Sequence, residues 1–511
     1  MNVLRNYAVT RIGLTLLPII IGGCAVGPDF KNPEAPTPKS WSAADDARVE
    51  ANKKNDALWW RAFNDATLNR LIESGASQNL GLQVAALRIV EARAQLAVAT
   101  GQQYPQVSAF GSAKAIGLSE NISRIGNLPR SYAAYNMGFD AAWELDFWGK
   151  FRRGVEAEVA NVMASTADYY SGLVSLTAEI ARAYVVIRTN EVLVEQALEN
   201  VRIQEQSLAI AESRFKNGAT SELDPTQAKT QLESTRATIP LRQTALQQAR
   251  NALSTLLGQP PGNVTAMLGA PTKEIPKAPA KVAVGVPAEV LRRRPDVRAA
   301  ELFAAAQSAR IGVAKADLYP SFSIVGTVGL DSSTRGTAPA TPFREGALFY
   351  SVGPQVNWAF LDFGRRRNAV RVQDARFEQL LVNYRNVVIK AAQEVEDALV
   401  GFLNAQQSAA SEEIAVTWAK RAVELAVVAY REGDADYQRV LDAQRALLTE
   451  ETTLADTRSA IATNLIALYK ALGGGWQLAE EAPMVPEETK REMEDRTSWG
   501  NILRTKPKQN P

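Results

Sequence analysis

The sequence predicts two copies of one mixed unit, each joining membrane-type strands to helices far longer than a compact domain needs. Three observations predict it. Landmarks recur at one spacing: Tyr104-Pro105 returns as Tyr319-Pro320, Trp143 as Trp358, Gly149 as Gly364, Gly218 as Gly433 and Gly258 as Gly473, each 215 positions on. Apolar residues keep a seven-residue interval through stretches without proline, and elsewhere the interval falls to two. One offset holding through both patterns means that the same series of elements occurs twice in the same order.

Composition narrows the function. Aromatic residues make up only 7% of the 511 residues while Ala and Gln abound, which suits long helices packed through small side chains. A net charge of +2, with Lys and Arg interspersed among Asp and Glu, offers no basic stripe for nucleic-acid phosphates. Histidine is absent and cysteine occurs once. That removes the usual general base and the commonest metal ligands, so neither an enzyme, a cofactor nor a metal site is expected.

At the N-terminus Arg5 and Arg11 precede and abut the apolar run Ile12 to Ile21, and Gly22-Gly23 stand before Cys24. This is the pattern of a secretory signal, its apolar run too short to span a bilayer. Ile21-Gly22-Gly23-Cys24 resembles a bacterial lipobox, in which the cysteine is lipidated and becomes the first residue of the mature chain; the alternative is an inert cysteine beside an ordinary signal. On that resemblance residues 1–23 are a removed signal peptide and Cys24 carries the lipid. Ala25, in place of an inner-membrane-retaining aspartate, implies the outer membrane, facing the periplasm. Residues 24–57, with Pro28, Pro33, Pro36 and Pro38, read as an extended tether that gives the anchor reach.

Two alternating stretches follow in each half. From Tyr135 to Leu145 one face carries Tyr135, Met137, Phe139, Ala141, Trp143 and Leu145, and the other Asn136, Gly138, Asp140, Ala142 and Glu144. Its counterpart runs from Leu348 to Phe360, with Tyr350 and Trp358 on the apolar face, and both are long enough for a tilted membrane crossing. Phe322, Ile324, Val328 and Leu330 mark a third strand, and Pro105 to Lys114 a weaker fourth. A soluble sheet resting on helices gives the same period; Trp143 and Trp358 near strand ends favour lipid, because indoles collect at bilayer interfaces. Phe139, Trp143, Tyr350 and Trp358 are therefore the expected lipid-facing residues.

Next come the helices. Ile180, Ile187, Val194, Val201, Leu208 and Phe215 follow at intervals of seven, with Ala183, Asn190, Ala197, Gln204 and Ala211 three residues after the first five. Val395, Phe402, Ala409, Val416, Val423 and Tyr430 repeat the seam. Without proline from Phe151 to Phe215, or from Arg365 to Tyr430, each stretch predicts one helix of about 65 residues, roughly 100 Å long. Gly218 and Gly433 end these helices in turns. Asp224-Pro225 then reads as an N-cap and first-turn proline of a return helix running to Gly258, which Pro240 should kink or split. The second return helix, Val440 to Leu472, has no proline.

Together with Asp146-Phe147-Trp148-Gly149 and Asp362-Phe363-Gly364-Arg365 after the strands, these features resemble the outer membrane factor family, the TolC-like exit ducts of tripartite efflux pumps. The NodT-type lipoprotein subfamily is the nearest match, and the likeness covers about Leu58 to Gly475. It implies a mixed membrane β-barrel plus long α-helical barrel. Four strands cannot close a barrel alone; by resemblance three chains complete a twelve-stranded barrel continued by a periplasmic α-barrel. The implied organisation is repeat 1 at 58–258, an equatorial linker at 259–285, repeat 2 at 286–475 and a polar tail at 476–511. Pro260 to Pro287, the tether and the tail form the expected belt, and loops near Gly117 to Arg130 and Asp331 to Glu345 the outward loops.

The resemblance also places a gate. Gly218 and Gly433 mark the periplasmic tip, Asp442 lines the lumen as a ring of carboxylates that can select cations, and Asp224 and Tyr430 tie neighbouring helices together. A family arginine is replaced by Ala435, so the closed state is expected to use Arg439 or Arg445 with Asp434, Asp436 or Asp442. Read from the residues alone, each of these charges sits on a solvated helix face. Implied partners are two further copies, a periplasmic adaptor (membrane fusion) protein, an inner-membrane resistance-nodulation-division pump and outer membrane lipid. The implied function is a passive exit duct for small molecules; a type I protein-secretion duct or a structural coiled-coil lipoprotein are the alternatives.

Overall fold

The computed structural model describes residues 25–50, 57–121, 129–335, 346–480 and 484–503. Cys24, the expected signal segment and parts of both expected outward loops lie outside them. In chain order the elements are β1 (Val49–Glu50), α1 (Ala66–Gln78), α2 (Leu80–Gly101), β2 (Gln106–Gly117), β3 (Ser131–Leu145), α3 (Lys150–Lys216), α4 (Leu223–Leu256), α5 (Val264–Leu268), β4 (Val282–Ala283), α6 (Pro287–Arg293), α7 (Pro295–Ala316), β5 (Ser321–Ser333), β6 (Leu348–Asn357), α8 (Arg365–Glu432), α9 (Tyr437–Ala471) and α10 (Glu487–Arg496). The pairs α2 and α7, β2 and β5, and α3 and α8 each begin 215 residues apart, so the duplication is one of structure.

Residues 98–157 and 308–374, with the segment ending at Phe30, form a strand unit. Its antiparallel sheet has the order β2-β3-β5-β6. Register aligns the period-two pattern of all four strands: Ala109, Phe139, Val328 and Tyr350 share one row on the apolar face, while Ser108, Asp140, Thr327 and Ser351 share one on the polar face. The backbone N of Asp331 donates to the Ala347 oxygen at 2.9 Å. Odd-numbered β5 residues are therefore the ones bonded to β6, and even-numbered β6 residues aim their backbone groups at the open edge. Pro354, which has no N–H to give, sits at one of these edge positions.

Two strand limits differ from expectation. β2 continues past Lys114 to Gly117, and β6 stops at Asn357, leaving Trp358 and Phe360 beyond the strand. The Trp358 indole instead donates to the Leu318 oxygen at 3.2 Å, just as Trp143 donates to the Gln103 oxygen at 3.0 Å. The extended tether expected to give the anchor reach is docked at its start. The Val26 N–H donates to the Trp148 oxygen, and Asp29 pairs with buried Arg153 at 2.6 Å.

Residues 31–97, 158–307 and 375 onward form a helical unit. The two long helices have 67 and 68 residues and the return helices 34 and 35. Pro240 does not split α4; it falls on an exposed face, where the carbonyl it leaves without a donor meets solvent. The large core gathers Trp59, Trp60, Ile180, Tyr184, Ile187, Val395, Phe402 and Tyr469. Two further tether residues are pinned here: Trp41 donates to the Gly285 oxygen and Arg48 to the Leu403 oxygen, each at 2.9 Å.

The heptad seam is buried as expected in α8, but not in the distal half of α3. There Val194, Val201 and Leu208 are only half-buried and Phe215 is 42% exposed, whereas Asn190, Ala197, Gln204 and Ala211 are buried. The smaller and polar stripe lets a neighbouring helix approach: Asn200 donates to Glu451 at 2.9 Å and Gln444 to Ser207 at 2.8 Å, so α9 packs there.

Candidate functional site: the helix tip and the sheet

Four helix ends meet in a small cluster of Ala211, Ala228, Tyr430, Tyr437, Val440 and Leu441. Gly218 and Gly433 end α3 and α8 with φ of +70° and +94°. In both turns the following N–H reaches five residues back, Ala219 to the Arg214 oxygen and Asp434 to the Ala429 oxygen, each at 2.9 Å, so orphan carbonyls of the last turn are satisfied.

Tyr430 is 2% exposed, and its hydroxyl donates to the Asp224 carboxylate at 2.9 Å, tying the end of α8 to the start of α4. Burial, and after it this carboxylate, push the hydroxyl's pKa up to about 12. Asp224 is not the expected N-cap. Glu222 holds that position without a side-chain bond, and Asp224 lies in the first turn with its carboxylate turned to Tyr430. The Tyr437 ring meets the Tyr430 ring edge-on at 5.0 Å.

A residue that sequence reasoning missed joins the same helix ends. Arg214, in the last turn of α3, donates to the Tyr430 oxygen at 2.5 Å and the Arg431 oxygen at 3.0 Å, and its guanidinium lies 4.9 Å from the Tyr430 ring centroid. It thus supplies positive charge and donors to the carbonyl end of α8. Its only sequence signal is its place in the last turn before Gly218.

Within one chain the other charges of the tip make different bonds. Gln438 donates to Asp442 at 2.8 Å, Arg445 donates to Gln231 at 2.9 Å, and Asp436 caps α9 by accepting from the Arg439 backbone N–H. Among the described residues, no ion pair joins Arg439 or Arg445 to Asp434, Asp436 or Asp442. Arg439, Asp442 and Arg445 stand three residues apart on one exposed stripe of α9, opposite buried Val440, Leu441 and Gln444.

In the strand unit Phe139, Trp143, Tyr350 and Trp358 are 58%, 38%, 76% and 55% exposed. Large apolar side chains presented to solvent on one sheet face call for an apolar medium or a partner to cover them.

A sheet with one apolar and one polar face, and long helical hairpins whose ends are bonded together, are the parts of a membrane-channel subunit. The sequence model of outer membrane efflux proteins matches residues 71–259 and 286–474. The chain belongs to that family, and its function is that of an exit duct of an efflux system in the outer membrane. It is 31% identical over 471 residues to the probable outer membrane lipoprotein SilC of Salmonella typhimurium, covering 92% of this chain and 99% of that protein. It is 32% identical over 472 residues to the cation efflux system protein CusC of Escherichia coli O6:H1, covering 90% and 99%. Among solved structures, the outer-membrane channel OprN superposes with a TM-score of 0.81 at 33% identity, covering 89% of this chain and all of that one.

Proposed function

We infer that three copies of this chain close into one passive duct, a twelve-stranded barrel in the outer membrane continued by a helical tunnel in the periplasm. The observation that carries this is the four-stranded sheet with one exposed apolar face and both edges open. In lipid, each unpaired N–H or C=O costs several kcal/mol, so β2 and β6 need strands from other copies. The polar face then lines the lumen.

Gly218 and Gly433 mark the periplasmic tip, and Tyr430, Asp224 and Arg214 hold it shut, while Asp442, Arg439 and Arg445 line its mouth. Cys24 carries the lipid anchor, and of the residues that follow it Val26 and Asp29 are docked against Trp148 and Arg153. A periplasmic adaptor packs on the tip and an inner-membrane resistance-nodulation-division pump drives export of small molecules. Two repeats joined through 259–285, with the tail at 476–511, form the subunit. Purified protein in planar lipid bilayers should give stepwise ionic currents that favour cations. Protein that inserts and leaves the bilayer insulating would refute the duct.

A further inference from the structure

One row of the polar face carries two phenyl rings and no polar side chain. Register places Phe110 beside Gly138, Gly138 beside Gly329 and Gly329 beside Phe349, so a single row across all four strands reads Phe-Gly-Gly-Phe. Both rings fold inward over the glycines. A Cβ at Gly138 would stand 2.9 Å from the tip of the Phe110 ring, and one at Gly329 would stand 2.9 Å from the edge of the Phe349 ring. Each Cβ would also meet the neighbouring strand's backbone at 2.7 Å or less, so neither position admits a side chain. Two half-buried phenyl rings therefore lie over the glycines, on a face that carries Ser, Thr, Asn and Gln together with Lys114, Tyr132, Glu144 and Val325.

Charge frames this row on both sides. On the same face, exposed Asp140 lies two residues from Gly138 and exposed Asp331 two residues from Gly329, in opposite directions from the row. Neighbouring same-face positions along a strand are roughly 7 Å apart and neighbouring strands about 4.8 Å. A flat ring system placed over the phenyl rings thus has a carboxylate within reach at either side. Aromatic faces and carboxylates both attract cations, and the rings attract planar apolar surface as well.

We propose that the Phe110-Gly138-Gly329-Phe349 row, flanked by Asp140 and Asp331, is a subsite for planar aromatic cations on their way through the duct. It rests on the reading of the polar face as the lumen. A small hydrated cation gains little from the rings, so the row discriminates by shape as well as by charge.

Ethidium, a planar aromatic cation, is the probe, titrated by fluorescence anisotropy against the full-length protein in detergent. Saturable binding is expected, at least tenfold weaker in Phe110→Leu/Phe349→Leu and in Asp140→Asn/Asp331→Asn, and unchanged in Tyr350→Leu on the apolar face. Equal binding by wild type and both double variants would overturn the proposal. Bilayer recordings separate it from the duct reading. Ethidium should block the wild-type current and leave that of Phe110→Leu/Phe349→Leu unblocked at the same concentration. Conducting channels blocked alike in both would sink the subsite alone, whereas protein that binds ethidium through these residues without ever conducting would sink the duct.

Discussion

Replacing Tyr430 by phenylalanine removes one oxygen from the tip and leaves the ring, its contact with Tyr437 and its place under Arg214 intact. What is lost is the hydroxyl's bond to Asp224, 2.9 Å long and made to a charged acceptor. Such bonds contribute about 1.5–3 kcal/mol. Asp224 is half-exposed, so water recovers part of the loss and the lower end applies. About 1.5 kcal/mol is roughly a tenfold shift from latched to unlatched tip for each chain. The assay is open probability in planar bilayers, where Tyr430→Phe should be open at least about ten times more often than wild type, and more if all three latches must release together. The same latch should respond to alkali. Its tyrosine has a pKa raised from 10.0 to about 12, so its contribution is whole below pH 10 and lost as pH rises towards 12. Wild type should therefore open across that window and Tyr430→Phe should show no such transition. Equal open probability in the two proteins at neutral pH would refute the latch.

Other residues give further tests. Arg214→Ala removes two carbonyl bonds and a cation–π contact, together about 2–3 kcal/mol, and should raise amide hydrogen exchange across residues 429–437, with Arg214→Lys intermediate; unchanged exchange would mean that Arg214 does not hold the end of α8. Asp442→Ala lies on an exposed stripe and should leave the melting temperature unaltered while raising single-channel conductance, and unchanged conductance and ion selectivity would remove it from the gate. Glu191→Ala strands the guanidinium of Arg188, only 3% exposed and held 2.7 Å from Glu191, so unfolding should become easier by about 3–5 kcal/mol in thermal melts, with a wild-type melt contradicting this.

Much of the architecture was legible because it is periodic. Seven-residue and two-residue intervals each select one backbone geometry, and the 215-residue offset carried both through the chain. Tyr430 and Asp224 were legible as a pair only through family resemblance, and their bond depends on two helix ends that lie far apart in sequence. Arg214 was illegible for the same reason, since nothing about an arginine near a helix end says whose carbonyls it will meet. Pro240 was expected to kink or split α4 and does not split it, because on an exposed face the lost backbone bond is replaced by water. The docking of residues 26–29 was hidden because proline-rich polar sequence reads as loose chain until its backbone partner, Trp148, is in place.

The claim that the open sheet is one third of a barrel can be weighed directly. Native mass spectrometry of the full-length protein, extracted in mild detergent and stripped of micelle in the gas phase, counts the chains in one particle. A single species of three chains is predicted, persisting on dilution because the β2 and β6 edges are joined by backbone hydrogen bonds. A monomer or dimer that remains folded and membrane-bound would contradict it, since its sheet edges would then stand unpaired in lipid.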